Sequence, residues 1–270
     1  MVGSLISAMA PPGCQLWLTT PAKDCQPSLT VRPRRAVVQA ILLRPIDACA
    51  MQTPMVAAAF SHVRVWVFDL DNTLYPPSAR LFDQIERRMS AYICRTLGLT
   101  EAEAGALRDD YWRRYGTTLS GLMAEHDMAP DPFLAEVHDI DFSGLAPDPA
   151  LAAAIRRLPG RRIVYTNGDG TYAGHVLAAR GLTDCFDAVY GIEHANYLPK
   201  PEQAAFEAVF ALDGLAPDQG AMFEDDTRNL TAPHSMGMRT VHVGPVHQPA
   251  DHIHHHTDDL CGFLSQLAPA

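Results

Sequence analysis

The chain has 270 residues, of which 47% are hydrophobic and 19% are charged, a balance typical of a globular protein. Its formal net charge of −10 argues against a nucleic-acid polymer as partner, because such proteins usually present a basic surface. No apolar run is long enough to span a membrane, so no membrane partner is expected. The six cysteines follow no regular spacing and are predicted to be free thiols in a cytoplasmic protein.

Residues 1–60 differ from the rest in their scattered prolines and in lacking a sustained hydrophobic period. We interpret them as a disordered extension or as the result of a start codon placed too early, since Met51 and Met55 precede the first predicted strand. A signal peptide is not predicted, because no basic region precedes the apolar part. A transit peptide is the alternative.

The first predicted strand, 63–68, is rich in β-branched and aromatic residues, which suggests burial on both faces. It ends in Asp69 and Asp71, whose i, i+2 spacing places both carboxylates on one side of the chain, about 6–7 Å apart. Two such acids repel each other unless a cation or a proton lies between them. Because ligands of open α/β sheets bind at the carboxyl ends of the strands, this stretch predicts a metal-assisted site.

Two kinds of periodicity follow along the chain. Helical patterns without any strand pattern occupy the first part, at 79–97, 100–115, 118–126 and 131–138. Strands then alternate with helices, the strands being predicted at 161–166, 188–190, 221–224 and 240–243. This order predicts an α/β fold, a Rossmann-like parallel sheet with helices on both faces and an all-helical insert. The predicted core comprises 61–78 and 146–270, and the insert 79–145.

Three later stretches also carry polar groups at predicted element ends. Thr166-Asn167-Gly168 combines a hydroxyl, an amide and a glycine, which suits an oxyanion site, although Asn-Gly is also a common turn. Lys200 lies between two prolines just before a helix. Glu224-Asp225-Asp226 follows a strand and either completes a metal site or, at Asp226 above all, begins a helix.

These four motifs, in this order, resemble motifs I to IV of the haloacid dehalogenase-like (HAD) superfamily. The string from Asp69 to Pro76 resembles the pyrimidine 5′-nucleotidase-like branch of that superfamily. The resemblance implies a HAD-like core with a C1-type cap at 79–145. It also implies a magnesium-dependent phosphatase that hydrolyses a small phosphorylated metabolite through an aspartyl-phosphate. In that branch the substrate is a pyrimidine nucleoside 5′-monophosphate.

The resemblance also implies residue roles. Asp69 is the nucleophile, Asp71 is the general acid and base, and Lys200 neutralises charge. The phosphate-binding groups implied are Thr73, Thr166, Asn167, Gly168 and Lys200. The Mg²⁺ ligands implied are Asp69, the Asp71 backbone carbonyl, Asp225 and, directly or through water, Glu224.

Alternatives of the same fold are a sugar phosphomutase and a haloacid dehalogenase, although a dehalogenase has no need of an acid at Asp71. A non-catalytic binding or regulatory module is the alternative from another class. The histidines at 252 and 254–256 are predicted to form a solvated, partly protonated loop, with a metal-binding tract as the less favoured interpretation. The substrate and the oligomeric state are not predicted from the sequence.

Overall fold

The computed structural model describes residues 56–267. The predicted N-terminal extension lies outside the described residues except for 56–60. There a helical turn at 56–59 leads into Phe60, which is buried. The Phe60 ring stacks on Trp66, with ring centroids 6.0 Å apart, and packs edge-on against Phe263 at 5.9 Å. Phe60 is therefore part of the hydrophobic core.

A six-stranded sheet in the order β3-β2-β1-β4-β5-β6 organises the fold, and every neighbouring pair is parallel. The central strand, β1, pairs through Val65 with Arg161 on one side and with Gly220 on the other. The strands are β1 (Val65–Phe68), β2 (Arg161–Tyr165), β3 (Ala188–Tyr190), β4 (Gly220–Glu224), β5 (Arg239–Val243) and β6 (His255–Thr257). The first five were predicted, and β6 was not.

Four helices lie between β1 and residue 145 in the chain, and the described residues 77–145 contain no strand. They are α1 (Leu81–Leu97), α2 (Glu101–Tyr115), α3 (Thr118–His126) and α4 (Pro130–Val137). The start of α2 is specified locally by a capping box, in which Thr100 and Glu103 each bond the other's backbone amide. Gly98 ends α1 in a left-handed conformation with φ of 71°. We call 79–145 the helical segment.

Helices cover both faces of the sheet, which confirms the predicted fold class. Adjacent strand residues point to opposite faces, so Val67 and Phe68 belong to different cores. The core around Phe68 includes residues of α5, α6 and α9, and the core around Val67 includes residues of α7 and α8. These helices are α5 (Pro149–Arg156), α6 (Gly170–Ala179), α7 (Gln203–Asp213), α8 (Thr231–Ser235) and α9 (Leu260–Leu267).

The prediction of a solvated, partly protonated loop was wrong for His255 and His256, which lie in a strand, whereas His252 and His254 lie in the turn before it and His254 is exposed. Residues His255–Thr257 form β6 on β5. His254 Nδ1 accepts a hydrogen bond of 3.1 Å from the Thr240 amide, which requires this nitrogen to be unprotonated. Partial burial of the imidazole, with the nearby Arg239 guanidinium, lowers the pKa of His254 to about 4. Three consecutive residues are too few to show a strand period, which explains why the sequence did not predict β6.

The cysteines and the apolarity of the helices were both considered in the sequence analysis. Cys94, Cys185 and Cys261 are free thiols as predicted, and the other three cysteines lie outside the described residues. None of the helices within 56–267 combines the length and the apolarity needed to cross a membrane.

Candidate active site

The parallel sheet brings the predicted site residues together, because β1 lies between β2 and β4 and all three strands end at the same edge. That edge forms the floor of a cavity of about 460 Å³. Eight predicted residues line it, namely Asp69, Asp71, Thr166, Asn167, Gly168, Lys200, Glu224 and Asp225. The ninth, Thr73, is buried but does not line the cavity, and its Oγ1 atom bonds no other described residue.

Lys200 lies in the cavity floor and bridges the ends of two strands. Its Nζ atom lies 2.6 Å from Asp69 Oδ1 and 2.6 Å from Glu224 Oε2, and it also donates to the Tyr165 carbonyl at 3.1 Å. The Lys200 side chain is only 1% exposed. All three ammonium protons are therefore used, which holds the ammonium group in one place.

Asn167 fixes the backbone of this lysine. Its side-chain oxygen accepts a bond of 2.8 Å from the Lys200 amide, and its side-chain nitrogen donates a bond of 3.1 Å to the Lys200 carbonyl. The Asn167 side chain is thus occupied, leaving its backbone to the cavity. Thr166 Oγ1 accepts from the Gly168 amide at 3.0 Å. A Cβ atom at Gly168 would lie 2.8 Å from the Tyr172 ring, so this turn requires glycine.

The site carries more negative than positive charge. The carboxyl groups of Asp69, Glu224 and Asp225 lie together, and Asp69 and Glu224 contact the single ammonium of Lys200, so the acids outnumber the one cation. Burial raises the pKa of Asp69, and the Glu224 carboxylate raises it further against the opposing effect of Lys200. Burial also raises the pKa of Asp225 to about 7, with the charge of Asp69 as the second cause. Burial lowers the pKa of Lys200, but Asp69 and Glu224 outweigh it, so the lysine stays protonated.

Oxygen atoms of Asp69, Glu224 and Asp225 lie within 4.8 Å of one another, and no other described residues form such a group of three. The Oδ2 atom of Asp69 is buried and has no hydrogen-bond partner among the described residues, a costly arrangement for a carboxylate. A hard cation with oxygen ligands, held by these carboxylates, would offset their charge. The donor set therefore fits Mg²⁺.

The three carboxylates are not equally available to a cation. Both oxygens of Glu224 already accept bonds, Oε2 from Lys200 and Oε1 from the Asp226 amide at 3.2 Å. Asp225 Oδ2 accepts from Asn72 at 3.2 Å. Asp69 and Asp225 are thus the more accessible ligands, and Glu224 is better placed to hold the lysine. Asp226 instead accepts from the Arg228 amide, the helix-start role that its sequence position suggested.

Two buried tyrosines contact Asp71. The hydroxyls of Tyr75 and Tyr172 each donate a bond of 2.5 Å to Asp71 Oδ1. Thr166 Oγ1 is 3.5 Å from the other oxygen, Oδ2. Burial, followed by the negative charge of Asp71, raises the pKa of both phenols well above its ordinary value, so both are hydrogen-bond donors at neutral pH.

The helical segment forms the upper wall of the cavity. Most of this wall is apolar and comes from α1 and α4, including Phe82, Ile85, Met89, Phe133 and Leu134. At its edge, the Arg228 guanidinium lies 3.7 Å from the centre of the Trp112 ring, a cation–π contact between α2 and the turn after β4. The same arginine is paired with Asp226 at 2.6 Å. The cavity thus has a charged floor and a wall that is largely apolar but also carries Glu86, Arg108, Asp109 and His138.

Sequence reasoning missed Tyr75, Tyr172, Trp112 and Arg228 as site residues. No local pattern marks Tyr172, which lies in the first turn of α6 and reaches an acid 101 positions earlier. Trp112 is 49% exposed on a helix whose other aromatic residues are more buried, and its exposure is visible only in the structure.

The fold and the strand-end acids define a Rossmann-like α/β protein with an acid–lysine site at the sheet edge. The model of the haloacid dehalogenase-like hydrolase family matches residues 63–237. The chain belongs to this family, as the motif order predicted, and is a HAD-like hydrolase. The pyrimidine 5′-nucleotidase-like branch stays a prediction.

Similar proteins extend this comparison. Phosphate metabolism protein 8 of Saccharomyces cerevisiae is 28% identical over 196 residues, which cover 65% of this chain and 60% of the yeast protein. The chain thus matches less than two thirds of this relative's length. A dehalogenase crystal structure has 17% identity and a TM-score of 0.50, covering 77% of this chain and 98% of its own. The Bacillus subtilis HAD-hydrolase YfnB, solved bound to magnesium, has 16% identity and a TM-score of 0.50, covering 76% and 98%. Both structures share the fold.

Proposed function

We propose that this chain is a magnesium-dependent phosphatase that hydrolyses a small phosphomonoester through an aspartyl-phosphate on Asp69. The observation that supports it most is the state of the Asp69 carboxylate. Oδ1 is held by Lys200 at 2.6 Å, while Oδ2 has no partner among the described residues. A carboxylate nucleophile must be held in one orientation and must have an oxygen free to form a bond. In Asp69 the bond to Oδ1 holds the orientation, and Oδ2 is the free oxygen.

The reaction proceeds in two steps. Asp69 Oδ2 attacks phosphorus, the bond from phosphorus to the leaving oxygen breaks, and Asp71 gives its proton to that oxygen. Water then attacks the phosphoryl group on Asp69, Asp71 takes the proton of that water, and inorganic phosphate leaves. Uncatalysed phosphomonoester hydrolysis is so slow that the site must lower the barrier by on the order of 20 kcal/mol or more.

The remaining site residues would stabilise the charge of the phosphoryl group. The Thr166 hydroxyl and the Asn167 backbone amide would provide hydrogen-bond donors, and the Lys200 ammonium would provide positive charge from its place beside Asp69. We assign the metal to Asp69, Asp225 and the Asp71 backbone carbonyl, with Glu224 contributing through water. When bound, Mg²⁺ supplies positive charge to the phosphoryl oxygens. Thr73 is buried away from the cavity, and we assign it a supporting role beneath the floor.

We propose that the helical segment, 79–145, acts as the cap and contacts the leaving group. A cavity of about 460 Å³ is within the usual range of small-molecule sites and has room for a nucleoside. The apolar wall and the Trp112 ring suit a flat aromatic group such as a pyrimidine base. The name of the yeast relative, which refers to phosphate metabolism, is consistent with this class of substrate.

Phosphate release by the purified protein tests this function directly. The panel comprises p-nitrophenyl phosphate, pyrimidine and purine nucleoside 5′-monophosphates, and sugar phosphates, each with Mg²⁺ and with excess chelator. We expect magnesium-dependent release, fastest with a pyrimidine nucleotide. Halide release from 2-chloropropionate without metal would support a dehalogenase. Conversion of one sugar phosphate to another without phosphate release would support a phosphomutase.

A further inference from the structure

The clearest unassigned feature of the cavity is the pair of tyrosines on Asp71. Tyr75 and Tyr172 lie 97 positions apart in the chain, and their hydroxyl oxygens are 3.4 Å from each other. Both point to the same carboxylate oxygen, Asp71 Oδ1, at 2.5 Å. Their exposed fractions are 2% and 1%, so neither hydroxyl can be replaced by bulk water.

Each tyrosine is anchored independently. The Tyr172 amide donates at 2.8 Å to Asp169, which caps α6, and the Tyr172 ring stacks on His138 with centroids 4.3 Å apart. The backbone beside Tyr75 is held because the Leu74 carbonyl accepts from the buried Arg180 guanidinium at 3.1 Å. Neither phenol therefore depends on Asp71 for its position.

The two donors distinguish the oxygens of Asp71. A carboxyl oxygen has two lone pairs, and two O–H donors at Oδ1 use both of them. A proton on Asp71 must then be on Oδ2, the oxygen nearest to Thr166 of the cavity floor. A neutral carboxyl whose carbonyl oxygen is held in this way presents its proton in one direction.

We propose that Tyr75 and Tyr172 are positioning residues that hold Asp71 by Oδ1 and leave Oδ2 to carry the transferable proton. This inference rests on the proposed function, in which Asp71 protonates the leaving oxygen. In that step the Oδ2–H bond breaks as the bond between phosphorus and the leaving oxygen breaks, and the proton goes to the leaving oxygen. The tyrosines keep their own protons throughout.

The leaving group provides the test, because only a basic leaving oxygen needs the proton. Benzyl phosphate releases an alkoxide unless it is protonated, whereas p-nitrophenyl phosphate of similar size releases a stable phenolate. We expect Tyr75→Phe and Tyr172→Phe to lower kcat/KM for benzyl phosphate by about tenfold or more, within the range of general acid catalysis, and for p-nitrophenyl phosphate by less than about threefold. Asp71→Asn is the reference and should show the same selectivity more strongly. Tyr92→Phe is the matched control, because Tyr92 is a buried aromatic residue that does not line the cavity.

The outcomes separate the two proposals. Equal losses for both substrates in the tyrosine variants, with a selective loss in Asp71→Asn, would show that the tyrosines are merely structural and would overturn this inference alone. Equal losses in Asp71→Asn, or a wild-type protein inactive on both esters, would overturn the proposed acid role and this inference with it. Thermal melting of each variant identifies any that fail to fold. In that case Tyr172→Leu and Tyr75→Leu are measured on the same two esters, under the same criterion.

Discussion

The Nζ atom of Lys200 lies 2.6 Å from Asp69 Oδ1, although the two residues are 131 positions apart in the chain. Their side chains are only 1% and 7% exposed. A buried pair of this kind depends on both partners, because removing one leaves the other as an uncompensated buried charge. The pair therefore links the chemistry of the site to the stability of the fold.

Replacing the lysine tests this link. We expect Lys200→Met to lower the free energy of unfolding by about 3–5 kcal/mol at pH 7, since the Asp69 and Glu224 carboxylates lose their counter-charge. Urea denaturation in chelator measures it. Without the ammonium, the folded-state pKa of these acids rises further above the unfolded value, so the loss grows as pH rises and should be smaller at pH 5 than at pH 8. Arg80→Met, which removes an exposed pair, is the control and should change little. If the loss of unfolding free energy were the same at pH 5 and pH 8, it would come from lost packing of the lysine side chain and not from lost counter-charge.

The nucleophile is tested by removing its ability to form an acyl phosphate. We expect Asp69→Asn to keep the fold and to lose nearly all phosphate release, because an amide is a poor nucleophile. Phosphate release and thermal melting are measured together, and mass spectrometry checks for deamidation. Asp218→Asn, at an exposed position, is the control. Activity of the Asp69→Asn variant within about tenfold of wild type would contradict a covalent mechanism, since loss of a triad-type nucleophile costs far more.

Mg²⁺ bound at the acid cluster should both stabilise the fold and switch on phosphate release. We expect Mg²⁺ to raise the melting temperature as its concentration passes the dissociation constant, reaching about 2.7 kcal/mol of stabilisation at a hundredfold excess. Phosphate release should begin over the same range. Ca²⁺ should stabilise but support little turnover, because its coordination shell is larger and looser.

The matched variant for this metal effect is Asp225→Ala. It removes one ligand and one of the three crowded carboxylates, so we expect it to abolish both responses and to be at least as stable as metal-free wild type. Melting curves and phosphate release across a Mg²⁺ titration decide this. An unchanged magnesium response in this variant, or full wild-type activity in chelator, would show that the acid cluster does not bind the metal.

The lowered pKa of His254 leads us to expect a loss of stability at acidic pH. The pKa of His254 is lowered to about 4 in the folded state, so between pH 4 and about 6.5 the unfolded chain binds more protons than the folded one. We expect the free energy of unfolding to fall as pH decreases through this window. His254→Asn keeps an acceptor for the Thr240 amide without titrating, and should flatten that part of the profile. The acid slope of the wild type, measured by urea denaturation, should exceed that of the variant; equal slopes would refute this assignment.

The sequence by itself determined the elements and the motif residues, because both depend on local chemistry. Apolar runs that end in polar residues predicted β1, β2 and β4 with their terminal acids and turn. The capping box of Thr100 and Glu103 set the start of α2. Parallel strands end at one edge, so the meeting of Asp69, Thr166 and Asp225 followed once the topology was known.

Only the tertiary structure decided which side chains complete the site. Tyr172 reaches Asp71, and Trp112 covers Arg228, across sequence separations that no periodicity records. The buried Oδ2 of Asp69 and the occupied oxygens of Glu224 are likewise visible only when every neighbour is in place. The short β6 formed because β5 offered an unpaired edge, a partner found through folding and not through the strand's own three residues. Side-chain contacts of this kind depend on packing between distant segments, whereas element type depends on neighbours along the chain.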